Sequence, residues 1–282
     1  MKKLLTFIAL VQVLVLGVVS QNINQPTPVG ETTEHHHGMA GGMSRGMMPG
    51  GGFGFGFGFG DASAISILPV DQMPKAETYL QEYPRPGDAL FYNDSVQYEI
   101  GKALRDTPRG QLAVGDASTS LNHYLKRFGE VMGFPEMNSA DFPAMAALVN
   151  STLTSARQSI QSTKDYFKRE RPYSYFKQQS ATPREERPND LTSYPSGHAV
   201  RAWAIALALV GVDPEHQNEI LQIGYDLCYS RVIVGFHYQS DIEAARVAAS
   251  AAFARICTEQ TWVDQFKAAK DEIAAKRSAV DQ

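Results

Sequence analysis

His237 and Asp241 stand four residues apart in Gly235-Phe236-His237-Tyr238-Gln239-Ser240-Asp241, with Ser230-Arg231 just upstream. At a helix start that spacing lets the carboxylate accept a hydrogen bond from the imidazole, fixing its tautomer and leaving the second ring nitrogen as base or nucleophile. A histidine beside an aspartate is more often structural, but here Arg231 could hold the group to be attacked. A second segment, Ser193-Tyr194-Pro195-Ser196-Gly197-His198, leads directly into an apolar run. The first N–H groups of a helix have no intrahelical acceptor, and the helix dipole favours an anion there. Ser196 adds a hydroxyl, Gly197 lets an anion approach the backbone, and His198 could donate a proton. The blander reading is an ordinary capped helix. In the third segment Lys164, Lys168 and Arg171 fall at i, i+4 and i+7, one face of a helix that runs to its end. Pro172 places Arg171 where the chain leaves that helix. Alone, this is a solvated basic face.

The elements that must position these residues read as helices. Asp88 to Arg105 carries Leu90, Val96, Ile100, Ala103 and Leu104 at roughly helical spacing. Asp141 followed by Pro143 predicts an N-cap and a helix running to about Lys168. Asp213-Pro214-Glu215 starts another, through Ile220, Leu221, Ile223, Leu227 and Cys228. Ala199 to Val212, Ile242 to Cys257 and Thr261 to Lys276 complete the set. No stretch alternates with period two, and no Asn-Gly hairpin signal joins apolar runs. The expected fold class is all-α, a single compact helical domain over residues 63–282. Cys228 lies just before the turn at Gly235 and Cys257 at the far end of the next helix, about 25 Å from that turn at 1.5 Å per residue. A disulfide needs Cα atoms within about 7 Å, so two free, buried thiols are expected.

The domain is preceded by two segments of other character. Lys2 and Lys3 followed by the apolar stretch Leu4 to Val19 read as a signal peptide over residues 1–20, which implies a periplasmic or secreted protein. The stretch is short for a membrane span, so none is expected after cleavage. Residues 21–62 hold His35, His36 and His37, methionines spaced by glycine, and a Gly-Phe alternation. That composition reads as a flexible, disordered tail; imidazoles and thioethers also suit copper, which keeps a non-enzymatic metal-binding or adhesive protein as an alternative. The formal net charge of −4 argues against nucleic-acid binding, because a phosphate backbone demands a basic surface.

Taken together, the three segments resemble the signature of the phosphatidic acid phosphatase type 2-like superfamily. That signature is Lys, six residues, Arg-Pro; then Pro-Ser-Gly-His; then Ser-Arg, five residues, His, three residues, Asp. Every fixed position is filled, from Lys164, Arg171 and Pro172 through Pro195, Ser196, Gly197 and His198 to Ser230, Arg231, His237 and Asp241. From about Pro84 onward the chain is similar to one branch, the bacterial class A non-specific acid phosphatases. Phe91-Tyr92-Asn93-Asp94, Pro108-Arg109-Gly110 and Gln239-Ser240-Asp241 carry that likeness. Val234 departs from it, and Lys177 to Asn189 is more charged than the branch.

The resemblance implies an acid phosphatase acting on small phosphate monoesters, by hydrolysis or by transfer to another alcohol. It implies no cofactor and no metal, and a homo-oligomer. Lys164, Arg171, Ser196, Gly197 and Arg231 would bind phosphate, His237 would attack phosphorus, Asp241 would orient it, and His198 would protonate the leaving oxygen. Vanadate-dependent haloperoxidases share the signature and are the nearest alternative; the compact length favours the phosphatase.

Overall fold

The structure is a computed structural model, and it describes residues 66–280, which fall within one compact unit. The expected leader over residues 1–20 and the tail over residues 21–62 lie outside the described residues. Among the described residues there is no strand, only an isolated parallel bridge between Arg169 and Thr192. The helices are α1 Ala89–Ala103, α2 Pro108–Gly115, α3 Leu121–Gly129, α4 Pro143–Gln158, α5 Gln161–Phe167, α6 Pro172–Tyr175, α7 Gly197–Val212, α8 Gln217–Ile233, α9 Gln239–Ile256 and α10 Gln260–Val280. None of them is long and apolar enough to cross a membrane.

Helix α7 is the axis of the fold. Its sequence is nearly all apolar, so it must be buried on most sides. It packs against α8, α9 and α4, and α10 closes over α4. Ala199, Val200, Ile205, Leu209, Ile220, Ile242 and Ile256 are fully or almost fully buried between these helices. Small residues on α9 (Ala245, Ala248, Ala249, Ala252) let it lie close to α7. The N-terminus of α7 and the start of α9 therefore sit beside each other, as the bond from Ser196 N to the Asp241 carbonyl (3.1 Å) shows.

Several boundaries differ from the sequence expectations. The helix predicted from Asp141 to Lys168 is two helices. The first ends at Gln158, and Ile160, at φ −105 and ψ 7, steps out of helical geometry before Gln161 starts the second. The second piece, α5, ends at Phe167, where Lys168 turns left-handed (φ 50). Lys164, Lys168 and Arg171 therefore do not share a helix face. The N-cap of α4 is Phe142, while Asp141 instead accepts from Asn138 Nδ2 at 2.7 Å. The Asp213-Pro214 start makes one 3-10 turn, Pro214–His216, before α8. Helix α1 forms as expected but turns its other face inward: Leu90, Val96 and Ile100 are exposed, and Phe91, Asp94, Tyr98 and Gly101 are buried. Both cysteines are free, Cys228 buried but Cys257 only half-buried.

Candidate active site

The last turn of α8 and the first turn of α9 are folded onto one another by a short hinge. Gly235 takes φ 79, a conformation that costs a residue with a Cβ, and reverses the chain after Val234. The N–H groups of Phe236 and His237 then both donate to the Arg231 carbonyl, at 3.0 and 3.2 Å. This brings Arg231 and His237, both buried, to the two ends of one hinge. His237 precedes the helix rather than standing on it. Asp241, in the first turn of α9, reaches back to accept from the Tyr238 N–H at 3.0 Å and from His237 Nδ1 at 3.2 Å. His237 Nδ1–H thus donates to the carboxylate, and Nε2 keeps its lone pair, which accepts from Arg171 Nη1 at 2.8 Å.

Behind the imidazole every polar group is paired. Asp241 Oδ2 also accepts from Ser193 Oγ at 2.6 Å, and its Oδ1 accepts from Arg169 Nη1 at 2.6 Å. Arg169 Nη2 donates to Asp94 Oδ2 at 2.7 Å, and Ser240 donates to Asp94 through both its N–H and its hydroxyl. The Arg169 guanidinium lies over the Tyr238 ring, 3.8 Å from its centroid. Burial alone would push the Asp241 carboxyl up; Arg169, His237 and Ser193 outweigh it and hold it well below the usual carboxylate range.

In front of the imidazole the groups are cationic, and one of them, Arg231, is incompletely paired. Arg171 leaves α5 in an extended conformation and anchors its Nε to Asp190 (2.8 Å) and its Nη2 to Thr192 Oγ1 (3.0 Å). Lys164 Nζ donates to the carbonyls of Thr192 (2.6 Å) and Pro195 (2.5 Å). Arg231 is fully buried; its Nη2 donates to Glu185 Oε2 at 2.9 Å, while Nε and Nη1 have no partner among the described residues. Both guanidiniums lie against the Phe236 ring, 4.4 and 4.7 Å from its centroid. Ser196 caps α7 through its hydroxyl, which accepts from Ala199 N (3.3 Å), so the first-turn N–H groups of Gly197 and His198 lack intrahelical acceptors. A Cβ added at Gly197 would meet only Lys164 Cε, at 3.8 Å. His198 Nε2–H donates to the Ala117 carbonyl at 3.1 Å.

This crowding of positive charge shows in the titrating groups. Burial, reinforced by Arg171, lowers Lys164 to about 7. Burial and then Arg171 likewise hold His237 well below an ordinary histidine, with Asp241 opposing. His198 is pushed down by burial, Arg231 and Arg201. In each case burial is the larger cause and neighbouring cations add to it; an anion bound between these groups would oppose the second part.

Two comparisons with known proteins fit this geometry. Residues 143–265, from the start of α4 into α10, match the PAP2 superfamily. The chain is 37% identical over 193 residues to a non-specific acid phosphatase of Providencia stuartii, an alignment covering 68% of this chain and 77% of that one. The chain is a PAP2-family acid phosphatase. It is also 30% identical over 211 residues to the non-specific acid phosphatase of Salmonella typhimurium and 29% identical over 202 residues to an acid phosphatase of Zymomonas mobilis, covering 73% and 71% of this chain and 83% and 76% of theirs.

Of the residues singled out from the acid phosphatase sequence, Lys164, Arg171, Ser196, Gly197, His198, Arg231, His237 and Asp241 all meet at one place, whereas Lys168 is exposed on its turn. The sequence reading missed five participants: Arg169, Asp94, Asp190, Thr192 and Glu185. Arg169 carried only the signal of its place in the basic run Lys168-Arg169-Glu170-Arg171. Asp94 and Glu185 reach the site from chain positions 75 and 46 residues distant from their partners, and nothing local marks them.

Proposed function

We propose that this acid phosphatase hydrolyses phosphate monoesters without a metal ion, through a phosphohistidine on His237. The observation that carries this reading is Arg231: a fully buried guanidinium with Nε and Nη1 unpaired, beside a second arginine that already touches the imidazole. Uncompensated buried charge is costly, and a phosphate with several acceptor oxygens compensates it. Arg171, Arg231, Lys164 and the α7 N–H groups supply donors around such a phosphate, the role a metal would otherwise fill. A phosphoryl oxygen that takes over the Arg171 Nη1–H brings phosphorus to His237 Nε2, whose lone pair faces it because Asp241 holds the Nδ1 proton. His198 protonates the leaving oxygen and then activates water. Its depressed basicity in the free enzyme is corrected by the incoming phosphate, whose charge opposes that of Arg231 and Arg201. Residues 1–20 act as an export signal and residues 21–62 as a tail preceding the catalytic domain, in a periplasmic or secreted homo-oligomer.

The test is trapping of the intermediate. Wild-type enzyme quenched in alkali after mixing with labelled 4-nitrophenyl phosphate should carry acid-labile, base-stable label on His237, and chelators should leave turnover intact. His198→Ala should still form the adduct from this good leaving group and accumulate it, with turnover slowed about 10²–10⁴-fold. Label on His198, or turnover retained by His237→Ala, overturns the assignment.

A further inference from the structure

The phosphate reading of this site has no need for a carboxylate in front of the imidazole, yet Glu185 is there. It ends the turn Pro183–Glu185 and receives Arg231 Nη2 on its Oε2 at 2.9 Å. Its second oxygen, Oε1, is buried and has no partner among the described residues, as are the neighbouring Nε and Nη1 of Arg231. One exchange of hydrogen bonds satisfies all three atoms. A tetrahedral anion that keeps one proton accepts from Arg231 through its bare oxygens and donates its own O–H to Oε1. A fully deprotonated anion has no proton for Oε1 and faces a like charge at contact distance, a repulsion that changes affinity by an order of magnitude or more.

We propose that Glu185 is a specificity-determining residue that makes the site select the singly protonated, monoanionic form of the phosphate group over the dianion. This rests on the reading that Arg231 binds the phosphate. The other charges facing the pair are Arg171 across the Phe236 ring, and His198, Arg201 and Tyr124 from α7 and α3. Of the flanking residues, Glu186 is engaged by the Ser180 N–H at 2.6 Å. Lys164 and the histidines titrate as well, so pH dependence alone does not isolate Glu185. Sulfate does, since it has the shape of phosphate and no proton to give at moderately acid pH.

The experiment compares competitive inhibition by inorganic phosphate and by sulfate at about pH 5, in wild type and Glu185→Gln. It adds KM for 4-nitrophenyl phosphate at about pH 5 and about pH 7.5, either side of a phosphate ester's second pKa of about 6. Wild type should bind phosphate far more tightly than sulfate. Glu185→Gln should shrink that ratio by about tenfold or more, mainly by tighter sulfate binding, because its amide can donate where the carboxylate repels. Its KM should fall at the higher pH and change little at the lower one. A structural lesion would weaken both anions together. An unchanged ratio with an unchanged KM slope overturns the proposal while leaving the phosphate site standing. If neither anion inhibits the wild type or raises its melting temperature, the phosphate site itself is wrong and the proposal falls with it. Should Glu185→Gln not fold, Glu185→Ala carries the same comparison, read by anion-induced melting shifts.

Discussion

Arg169 and Arg231 are both guanidiniums buried at the same site, and they are partnered in opposite ways. Behind the imidazole, Arg169 spends its donors on Asp94, Asp241 and Ser240, and every carboxylate oxygen of Asp241 has a donor. In front of it, Arg231 keeps two nitrogens unpaired and Lys164 leans on backbone carbonyls, while Arg171 is ion-paired with Asp190 and also touches His237 Nε2. A fully satisfied network fixes its members whether or not substrate is present, which suits residues that must hold one tautomer and one orientation. A deficient one stores interaction energy that only an anion can release, which suits residues that bind the developing charge.

The largest change is expected from breaking the paired side. Arg169→Met removes the partner of two buried carboxylates, and loss of one partner of a buried pair costs about 3–5 kcal/mol. Thermal or urea unfolding should show that loss, and added phosphate should not restore it. Arg231→Met is expected to do the reverse. Its nearest partner, Glu185, is partly exposed and can turn to water, so an apolar side chain of similar length should leave stability unchanged or raise it. Activity should nevertheless fall about 10²–10³-fold in kcat/KM, the usual cost of a lost charge-stabilising donor. If Arg231→Met destabilises as much as Arg169→Met, the two sides are not built differently.

The sequence shows one of these sides better than the other. The anion side consists of motif residues at fixed local spacings, Lys164 with Arg171 and Ser196 with Gly197 and His198, so their types announce an anion site before any fold is known. The paired side depends on Asp94, whose burial contradicts its polarity. Helix α1 was legible as a helix, but its exposed Leu90 and Ile100 misled the choice of inner face, because the face that packs inward carries Asp94 to Arg169. Helices α7 and α9 were legible because long apolar or small-residue runs can only be core. The short α2 and α3 were not: α2 starts on the Thr107 cap and α3 on the Ser120 cap, and at eight and nine residues each is shorter than the stretch over which a helical period is usually read, although α3 is amphipathic. The break between α4 and α5 was hidden because it falls at Ser159 and Ile160, with no glycine or proline to mark it.

The smallest expected effect concerns pH, and it sharpens the comparison by reading charge on the anion side alone. In the free enzyme Lys164 sits near 7, lowered by burial and by Arg171. Its charged form, the one that attracts phosphate, therefore predominates below that pH and is lost above it. Since kcat/KM reports the free enzyme, it should decline through about pH 7 on the alkaline side. The bound phosphate favours the ammonium, so the same limb in kcat should lie at higher pH. Lys164→Arg cannot lose its proton in this range and should move the kcat/KM limb upward by a unit or more. The plateau should drop modestly, because a planar fork does not reproduce two bonds from one ammonium to the Thr192 and Pro195 carbonyls. A limb that stays in place in Lys164→Arg belongs either to the substrate's own second ionisation, which moves with the leaving group, or to His198, which burial, Arg231 and Arg201 hold neutral. Asp241 stays ionised throughout the range and so adds no limb of its own.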